Sequence, residues 1–531
     1  MRVIRPRLVC RCLLALCVLI FFYYGFILGH FVSSTSAFSS LWLSKRPVVI
    51  QGGEDADPEV RIKRDHVKSM MKHAWDGYVQ YAWGANELKP ISRKPHINSI
   101  YGSAPLGATI VDSLDTLFIM GMMDEFNAAK DWVDNDMNLD MADAELSLFE
   151  VNIRLVGGLL SAFSLTGDKL FRERALQVGE RLLSAFDGVS AGIPNGRINL
   201  SANKSSGGWP VLAEWGTLSL EFNYLSDVTG SDVFRSHIRR IYEETINLMV
   251  SMDGLYPVNI RMRQNKTGDF DDRIHWNNFD KYTLGAAGDS FYEYLLKSWL
   301  QSGKTDETSL SLYLHSVDGV FNKLVRTSEK SKLTYLVEIE HESVQHVMGH
   351  LTCFAGGMFA LGGKTLNQER QFKLGADLTS TCHQSYVRSP TKLGPETFEF
   401  NDQLEAELDR SSGAKYYILR PEVIESYFIL WRLTHDPRYR RWGWEAVEAI
   451  EKNCRISTGG YSGLHNVANV LPTHDDVQQS FFMAETLKYL YLLFSDDSLI
   501  DLDQWVFNTE AHPLPIKGGA NPLYRPAEKA K

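Results

Sequence analysis

The sequence predicts an all-α fold, a toroid of helical hairpins with an acidic mouth. Three observations carry that prediction. From Val60 onward the apolar residues keep a helical spacing. Small polar turns recur: Thr166-Gly167-Asp168, Thr229-Gly230-Ser231, Ser302-Gly303-Lys304, Gly362-Gly363-Lys364, Thr434-His435-Asp436 and Ser495-Asp496-Asp497. Their spacing, roughly sixty to seventy-five residues, fits two helices of about fifteen to twenty residues plus loops. In each interval an apolar helix opened by an acidic or polar residue precedes a more charged helix, the pattern of stacked or closed hairpins rather than of sheets.

Ahead of the hairpins, Arg2, Arg5, Arg7 and Arg11 precede the apolar run Leu13 to Val32. About twenty helical residues span roughly 30 Å, the thickness of a bilayer core, and the basic flank predicts a cytoplasmic N-terminus. Residues 1–11 are therefore expected as a cytoplasmic tail, 12–32 as a transmembrane signal anchor and 33–57, rich in Ser and Gly, as a lumenal stem. Residues 58–531 are expected as one large lumenal domain. A cleaved signal peptide ending near Ser33 to Ala37 is the alternative; the long, aromatic-rich run favours the anchor.

Composition agrees with a packed, lumenal body. Hydrophobic residues make up 44% of the 531 and aromatics 11%, and the net charge of −10 argues against a nucleic-acid partner. Beyond the anchor region only Cys353, Cys382 and Cys454 remain; in an oxidising compartment two of them can pair, Cys353 with Cys382 being the obvious pair. Asn199, Asn203 and Asn265 each open a glycosylation sequon, which matters only in the secretory lumen.

The residues that open the first helices are Glu150, Glu214 with Glu221, Asp289, His350, Glu422 with Glu425, and Glu485. Each alone reads as a cap or a helix-dipole partner; in a ring they would converge at one end. Glu150 is expected mid-helix, with Arg154 one turn on as its ion-pair partner. Apolar neighbours would favour its protonated form and Arg154 would oppose it. Pro421 fits the first helical position, which puts Glu422 and Glu425 in the first turn, where the dipole favours ionised carboxylates and so suits a base. Asp289 precedes a capping-box pattern, Ser290 to Glu293, and can equally be a spare N-terminal anion. His350 beside an apolar helix reads first as a satisfied core histidine.

The C-terminal stretch Asp475 to Pro515 opens with an apolar helix in which Phe481 and Glu485 share a face. A strand-like segment then carries Asn508-Thr509-Glu510 as a polar tip into a shared centre. An outward-facing Glu485 and an ordinary turn at Thr509 fit the spacing equally well. No HExxH, CxxC, P-loop or GxSxG motif occurs. Several carboxylates with few other reactive groups point to glycoside hydrolysis, which needs one acid and one base.

The stretches SLFEVNIRLVGGLL, DSFYEYL, GHLTCFAGGMFALG, LRPEVIES, SFFMAETLKYLYLLFSDD and VFNTEAHPLP, in this order from about Val60 to Ile516, resemble the class I α-1,2-mannosidases, glycoside hydrolase family 47. The resemblance implies an (α/α)7 barrel plugged by a C-terminal β-hairpin, inversion at the anomeric carbon, and a calcium ion at the base of the barrel. It implies Glu150 as general acid, Glu422 as the base that activates water, and Asp289 as a third catalytic carboxylate whose share of the acid role is open. Thr509 resembles the calcium ligand. Arg154, Glu214, His350, Arg420, Glu425, Phe481, Glu485 and Glu510 match positions around the mannose subsite, and Cys353 and Cys382 match the family's disulfide.

KYYILRPEV, WRLTHDPRYR and DDVQQSFF resemble the Golgi members. Ala287 stands where the endoplasmic reticulum type carries an arginine, and a small residue there leaves room for more than one glycan branch. Broad trimming of high-mannose N-glycans to the five-mannose form is therefore expected, with single-mannose trimming as the alternative. Gln479 replaces a Glu of the other branch. A lectin-like relative from glycoprotein quality control would resemble this core but lack the cysteine pair. A purely structural toroid would not need Glu150, Asp289, Glu422 and Thr509 together.

Overall fold

One device builds the recurring turns. In Thr166-Gly167-Asp168 the threonine hydroxyl donates to the Ala162 carbonyl at 2.6 Å and accepts from the Asp168 amide at 3.1 Å. Gly167 takes the left-handed conformation that ends the helix, at φ 71°. Asp168 then caps the next helix by accepting from the Leu170 amide. Thr229-Gly230-Ser231 repeats the threonine bridge. Thr434-His435-Asp436 repeats it too, with His435 left-handed at φ 52°. Each such turn reverses the chain between an apolar and an amphipathic helix.

The computed structural model describes residues 52–97, 100–189, 192–207, 210–249, 253–259, 261–264, 270–275, 280–408 and 413–518. The expected tail, the anchor and the Asn265 sequon lie outside the described residues. In chain order the helices of seven residues or more are α1 Pro58–Ala82, α2 Ala108–Ile119, α3 Met123–Asn135, α4 Leu148–Thr166, α5 Lys169–Leu182, α6 Ser219–Thr229 and α7 Val233–Met249. There follow α8 Asp289–Gln301, α9 Glu307–Lys323, α10 Phe354–Thr365, α11 Glu369–Val387, α12 Glu422–Thr434, α13 Pro437–Cys454 and α14 Leu487–Leu493.

The even-numbered helices are buried almost throughout, α2 and α14 at every residue; odd-numbered ones such as α5 and α13 bury one face. Each even-numbered helix packs on the next, and a π-turn at Phe482–Thr486, leading into α14, returns to α2. The outer partner of α14 is α1, from the other end of the chain. Six hairpins among the described residues, with the α14–α1 pair as the seventh, thus close into a helical barrel. Among the described residues α4 alone is long and apolar enough to cross a membrane, and it is mostly buried as a stave of the inner ring.

The inner-to-outer turns are short. The returns are longer and carry small antiparallel sheets, such as Leu146–Ser147 with Arg197–Asn199 and Lys204–Ser206. These returns lead into the N-termini of the inner helices, so that end of the barrel is the elaborated mouth. The other end is plugged. After α14 a hairpin pairs Trp505–Phe507 with Pro513–Pro515 and packs on α8 and α4. The Lys517 amide donates to the carbonyl of Gln301, at the C-terminus of α8, which marks where the hairpin leaves the barrel.

Two expected turns differ from the sequence reading. Gly362 and Gly363 lie inside α10, which runs on to Thr365. They are there for close packing: a Cβ on Gly362 would sit 2.3 Å from the Tyr313 hydroxyl, and one on Gly363 2.3 Å from the Phe372 amide of α11. After Ser495-Asp496-Asp497 no charged helix follows among the described residues; α1 supplies that outer stave instead.

Cys353 and Cys382 form a disulfide that ties the start of α10 to α11, and Cys454 is free and buried. Asn203 is exposed and left-handed, whereas Asn199 is half-buried and its Nδ2 donates to Asp143 at 2.8 Å.

Candidate active site

Each of the inner helices α4, α8 and α12 presents its first turn to the mouth, so side chains there point into one space. A cavity of about 470 Å³ at that end brings together Glu150, Arg154, Glu214, Asp289, Arg420, Glu422, Glu425, Phe481, Glu485, Thr509 and Glu510. A larger cavity of about 780 Å³ lies at the plugged end, between the turns of α6 to α9. Convergence of carboxylates, not size, marks the site.

On one wall stands Glu422, the first residue of α12; Pro421 is the cap before it rather than the first helical residue. The expected site residue His350 does not line the cavity. It lies buried behind Glu422, its Nδ1 at 2.7 Å from Oε2 and its Nε2 at 2.8 Å from the Tyr386 hydroxyl. Arg420 approaches the other carboxylate oxygen at 3.6 Å and is itself clamped by two hydrogen bonds, of 2.7 and 2.6 Å, to Glu396. Burial would raise the Glu422 carboxyl, but Arg420 and His350 outweigh it and hold it below its ordinary value.

Opposite, Glu150 sits in the first turn of α4 rather than mid-helix, just before a π-turn at Val151–Val156. Arg154, within that π-turn, donates to Glu150 at 3.0 Å, to Asp112 at 3.2 Å, and to Glu510. Its guanidinium also lies 5.9 Å from the centre of the Phe481 ring. Glu214 accepts from the Val211 amide at 3.1 Å.

Asp289 begins α8 and receives the Ser290 amide at 2.9 Å. The capping box expected around it does not form: no side chain caps α8, and Glu293 is instead buried and paired with Lys297. Burial, aided by Glu293 and Glu422, pushes the Asp289 carboxyl up to about 7. Glu425 departs from the helix-dipole expectation. Burial, with Glu293 and Glu422 nearby, pushes it up to about 8 despite Lys297 at 3.7 Å. Desolvation and crowded carboxylates here exceed what a helix end supplies.

Thr509 stands at the tip of the plug. Its amide donates to the Tyr294 hydroxyl at 3.4 Å, and among the described residues no hydrogen bond uses its carbonyl or its hydroxyl. Around it, burial and neighbouring carboxylates raise Glu485 and Glu510 well above their ordinary values, Glu510 and Glu422 acting on the first, Asp112 and Glu150 on the second despite Arg154. Two free hard oxygens beside crowded acidic groups, whose repulsion a cation would relieve, are chemistry that a calcium ion fits. No three His, Cys, Asp or Glu side chains gather as ligands among the described residues, so the tip would be the main protein contact. Glu221, expected at the mouth, lies deeper, held by Tyr294, Asn508 and Asn152.

Sequence reasoning missed Glu396, Glu293, Lys297, Asp112, Asp115, Lys488 and His512. One signal was available: Asp112 and Asp115 interrupt a helix whose every residue is buried.

The model of glycosyl hydrolase family 47 matches residues 70–516. The chain belongs to that family. It is 50% identical over 490 residues to the mannosyl-oligosaccharide alpha-1,2-mannosidase IA of Drosophila melanogaster, covering 90% of this chain and 71% of that protein. It is 48% identical to the mannosyl-oligosaccharide 1,2-alpha-mannosidase IB of Homo sapiens, covering 89% and 73%. Among solved structures this family-47 chain superposes on the alpha-1,2-mannosidase from Trichoderma reesei with a TM-score of 0.78 at 28% identity, covering 86% of this chain and 99% of that one. The helical barrel is thus the barrel of a glycosidase.

Proposed function

We propose that the chain is an inverting, calcium-dependent exo-α-1,2-mannosidase that trims high-mannose N-glycans toward the five-mannose form. Relatives named as mannosyl-oligosaccharide 1,2-alpha-mannosidases support the substrate. One observation carries the mechanism: two carboxylates lining the same cavity have their protons pushed opposite ways, Asp289 up to about 7 and Glu422 below its ordinary value. Such a split divides acid from base.

Glu422, kept ionised by Arg420 and His350, takes the proton of the attacking water. Asp289 keeps its proton near neutrality and delivers it toward the departing oxygen. Glu150, the acid that the resemblance implies, is held by Arg154 and is the alternative donor. Phe481 offers an apolar face to the sugar, and Glu214, Glu425, Glu485 and Glu510 offer acceptors to its hydroxyls. A calcium ion at Thr509 would supply Lewis-acid orientation of the sugar hydroxyls and favour a distorted, oxocarbenium-like ring.

We place the chain in the Golgi membrane as a single-pass type II protein with residues 58–531 lumenal, the endoplasmic reticulum being the alternative. The run Leu13 to Val32 and the Cys353–Cys382 bond support a lumenal body. Ala286 and Ala287 line the cavity with minimal side chains, which supports access for several glycan branches.

The test is digestion of a nine-mannose glycan by the lumenal domain, read by mass, with and without a chelator. Stepwise loss to the five-mannose form, stopped by chelator, is the expected result. Loss of a single mannose followed by a stall would move the chain to the reticulum type. Binding without cleavage would make it a lectin.

A further inference from the structure

The tip that carries Thr509 is gripped from two sides by buried groups that do not line the cavity. On one side Asn508 closes the turn, its Oδ1 accepting from the amides of Glu510 at 3.0 Å and His512 at 2.8 Å. Its Nδ2 donates to the Ile153 carbonyl of α4 and to Glu221 of α6. Gly157 makes this approach possible, since a Cβ there would lie 2.5 Å from Asn508 Nδ2.

On the other side are three ionisable groups with no exposed surface, and a fourth, Asp112, lies 3.6 Å from the histidine among them. Asp115 of α2 meets Lys488 of α14 at 2.9 Å and His512 of the hairpin at 2.8 Å, and it also accepts from Ser161 of α4. Lys488 donates in addition to the Ala511 carbonyl at 2.6 Å, two residues past Thr509. Sealing charges in a barrel core adds little stability over apolar residues of the same shape, but it fixes geometry, because each charge tolerates few partners.

We propose that Asp115, Lys488 and His512 are positioning residues for the reaction: they set the height and tilt of the Thr509 tip against the carboxylates of the cavity. The inference rests on the reading of Thr509 as the ion's ligand. It makes turnover depend on residues that touch neither substrate nor ion.

The experiment compares the unmodified lumenal domain, Lys488→Met, and the double variant Asp115→Asn with Lys488→Met. Melting temperature is measured without calcium, calcium affinity by calorimetry, and kcat and KM on the nine-mannose glycan. Lys488→Met leaves the buried Asp115 carboxylate with His512 as its remaining ionisable partner and is expected to melt lower. The double variant removes that charge and is expected to regain the melting temperature, yet to bind calcium at least tenfold more weakly and to lose at least tenfold in kcat. Return of affinity and kcat together with melting temperature would reduce the cluster to a structural role and overturn the proposal. Should the double variant not fold, Ser161→Ala, which removes one bond to Asp115, is expected to weaken calcium binding severalfold; unchanged affinity there overturns the proposal as well. Absence of calcium binding by the unmodified domain would sink the reading of Thr509 and this proposal with it, whereas normal binding that the variants leave untouched strikes the proposal alone.

Discussion

His350 and Glu422 form a buried pair, imidazole Nδ1 to carboxylate Oε2 at 2.7 Å, with the Tyr386 hydroxyl closing the far side of the ring. The histidine therefore meets the cavity only through the carboxylate. His350→Leu removes one of the two groups that hold Glu422 ionised. A charge-assisted bond of this kind is worth about 1.5–3 kcal/mol, so kcat should fall roughly ten- to hundredfold. A base works only when ionised, and its carboxyl would rise without the imidazole. The acidic limb of the pH–rate profile should accordingly move to higher pH. An unmoved limb would mean that Arg420 alone sets Glu422.

Asp289 predicts opposite effects on activity and stability. Asp289→Asn should lower kcat by about 10²–10⁴-fold, the usual loss of a general acid or base. In the native enzyme the rate should fall as pH rises through about 7, where Asp289 loses its proton. The stability sign follows from the raised value. The folded state holds this proton more tightly than the unfolded chain, so the contribution is full below the ordinary value of 3.8 and is lost as pH rises toward about 7. Thermal melts should show the asparagine variant at least as stable as wild type at pH 7, with that advantage shrinking near pH 4.

The disulfide joins Cys353 and Cys382, whose sequence separation is 29. In the chain-entropy model a loop of that size adds about 3–4 kcal/mol. Cys353→Ser with Cys382→Ser should lower the unfolding free energy by that amount in urea titrations. Cys454, buried and distant from the pair in sequence, should be the single free thiol found when residues 58–531 are titrated under denaturing conditions.

Gly363→Ala tests the contact between α10 and α11. The added Cβ would meet the Phe372 amide at 2.3 Å, a backbone atom that cannot rotate away. Overpacking of this kind costs about 1–3 kcal/mol, against a small gain in helix propensity. A melting temperature equal to or above wild type would show that the two helices can part.

What the sequence disclosed was local. Thr166-Gly167-Asp168 and Thr434-His435-Asp436 work within five residues, so composition alone reveals them. Glu150, Asp289 and Glu422 were legible as acids at the openings of inner helices, within long family motifs. Gly362-Gly363 was misread, because a glycine pair signals a turn and a close helix crossing equally, and the deciding atom belongs to Tyr313. Glu396, which clamps Arg420, and the Asp115–His512 pair, 397 residues apart in sequence, have no local signature. The proton affinities were no more legible. Glu425 follows its neighbours Glu293, Glu422 and Lys297, not its place on the helix.

The pairing of α1 with α14 gives the barrel a timetable. During synthesis the earlier hairpins can stack as an open arc, but the last inner stave finds its outer partner only by joining the two extremes of the domain. That contact has very high contact order and comes late. The Thr509 tip arrives later still, as the arc closes around it. A nascent chain therefore displays bare apolar staves until its final residues emerge, and it gains its power to cut glycans in a single last act.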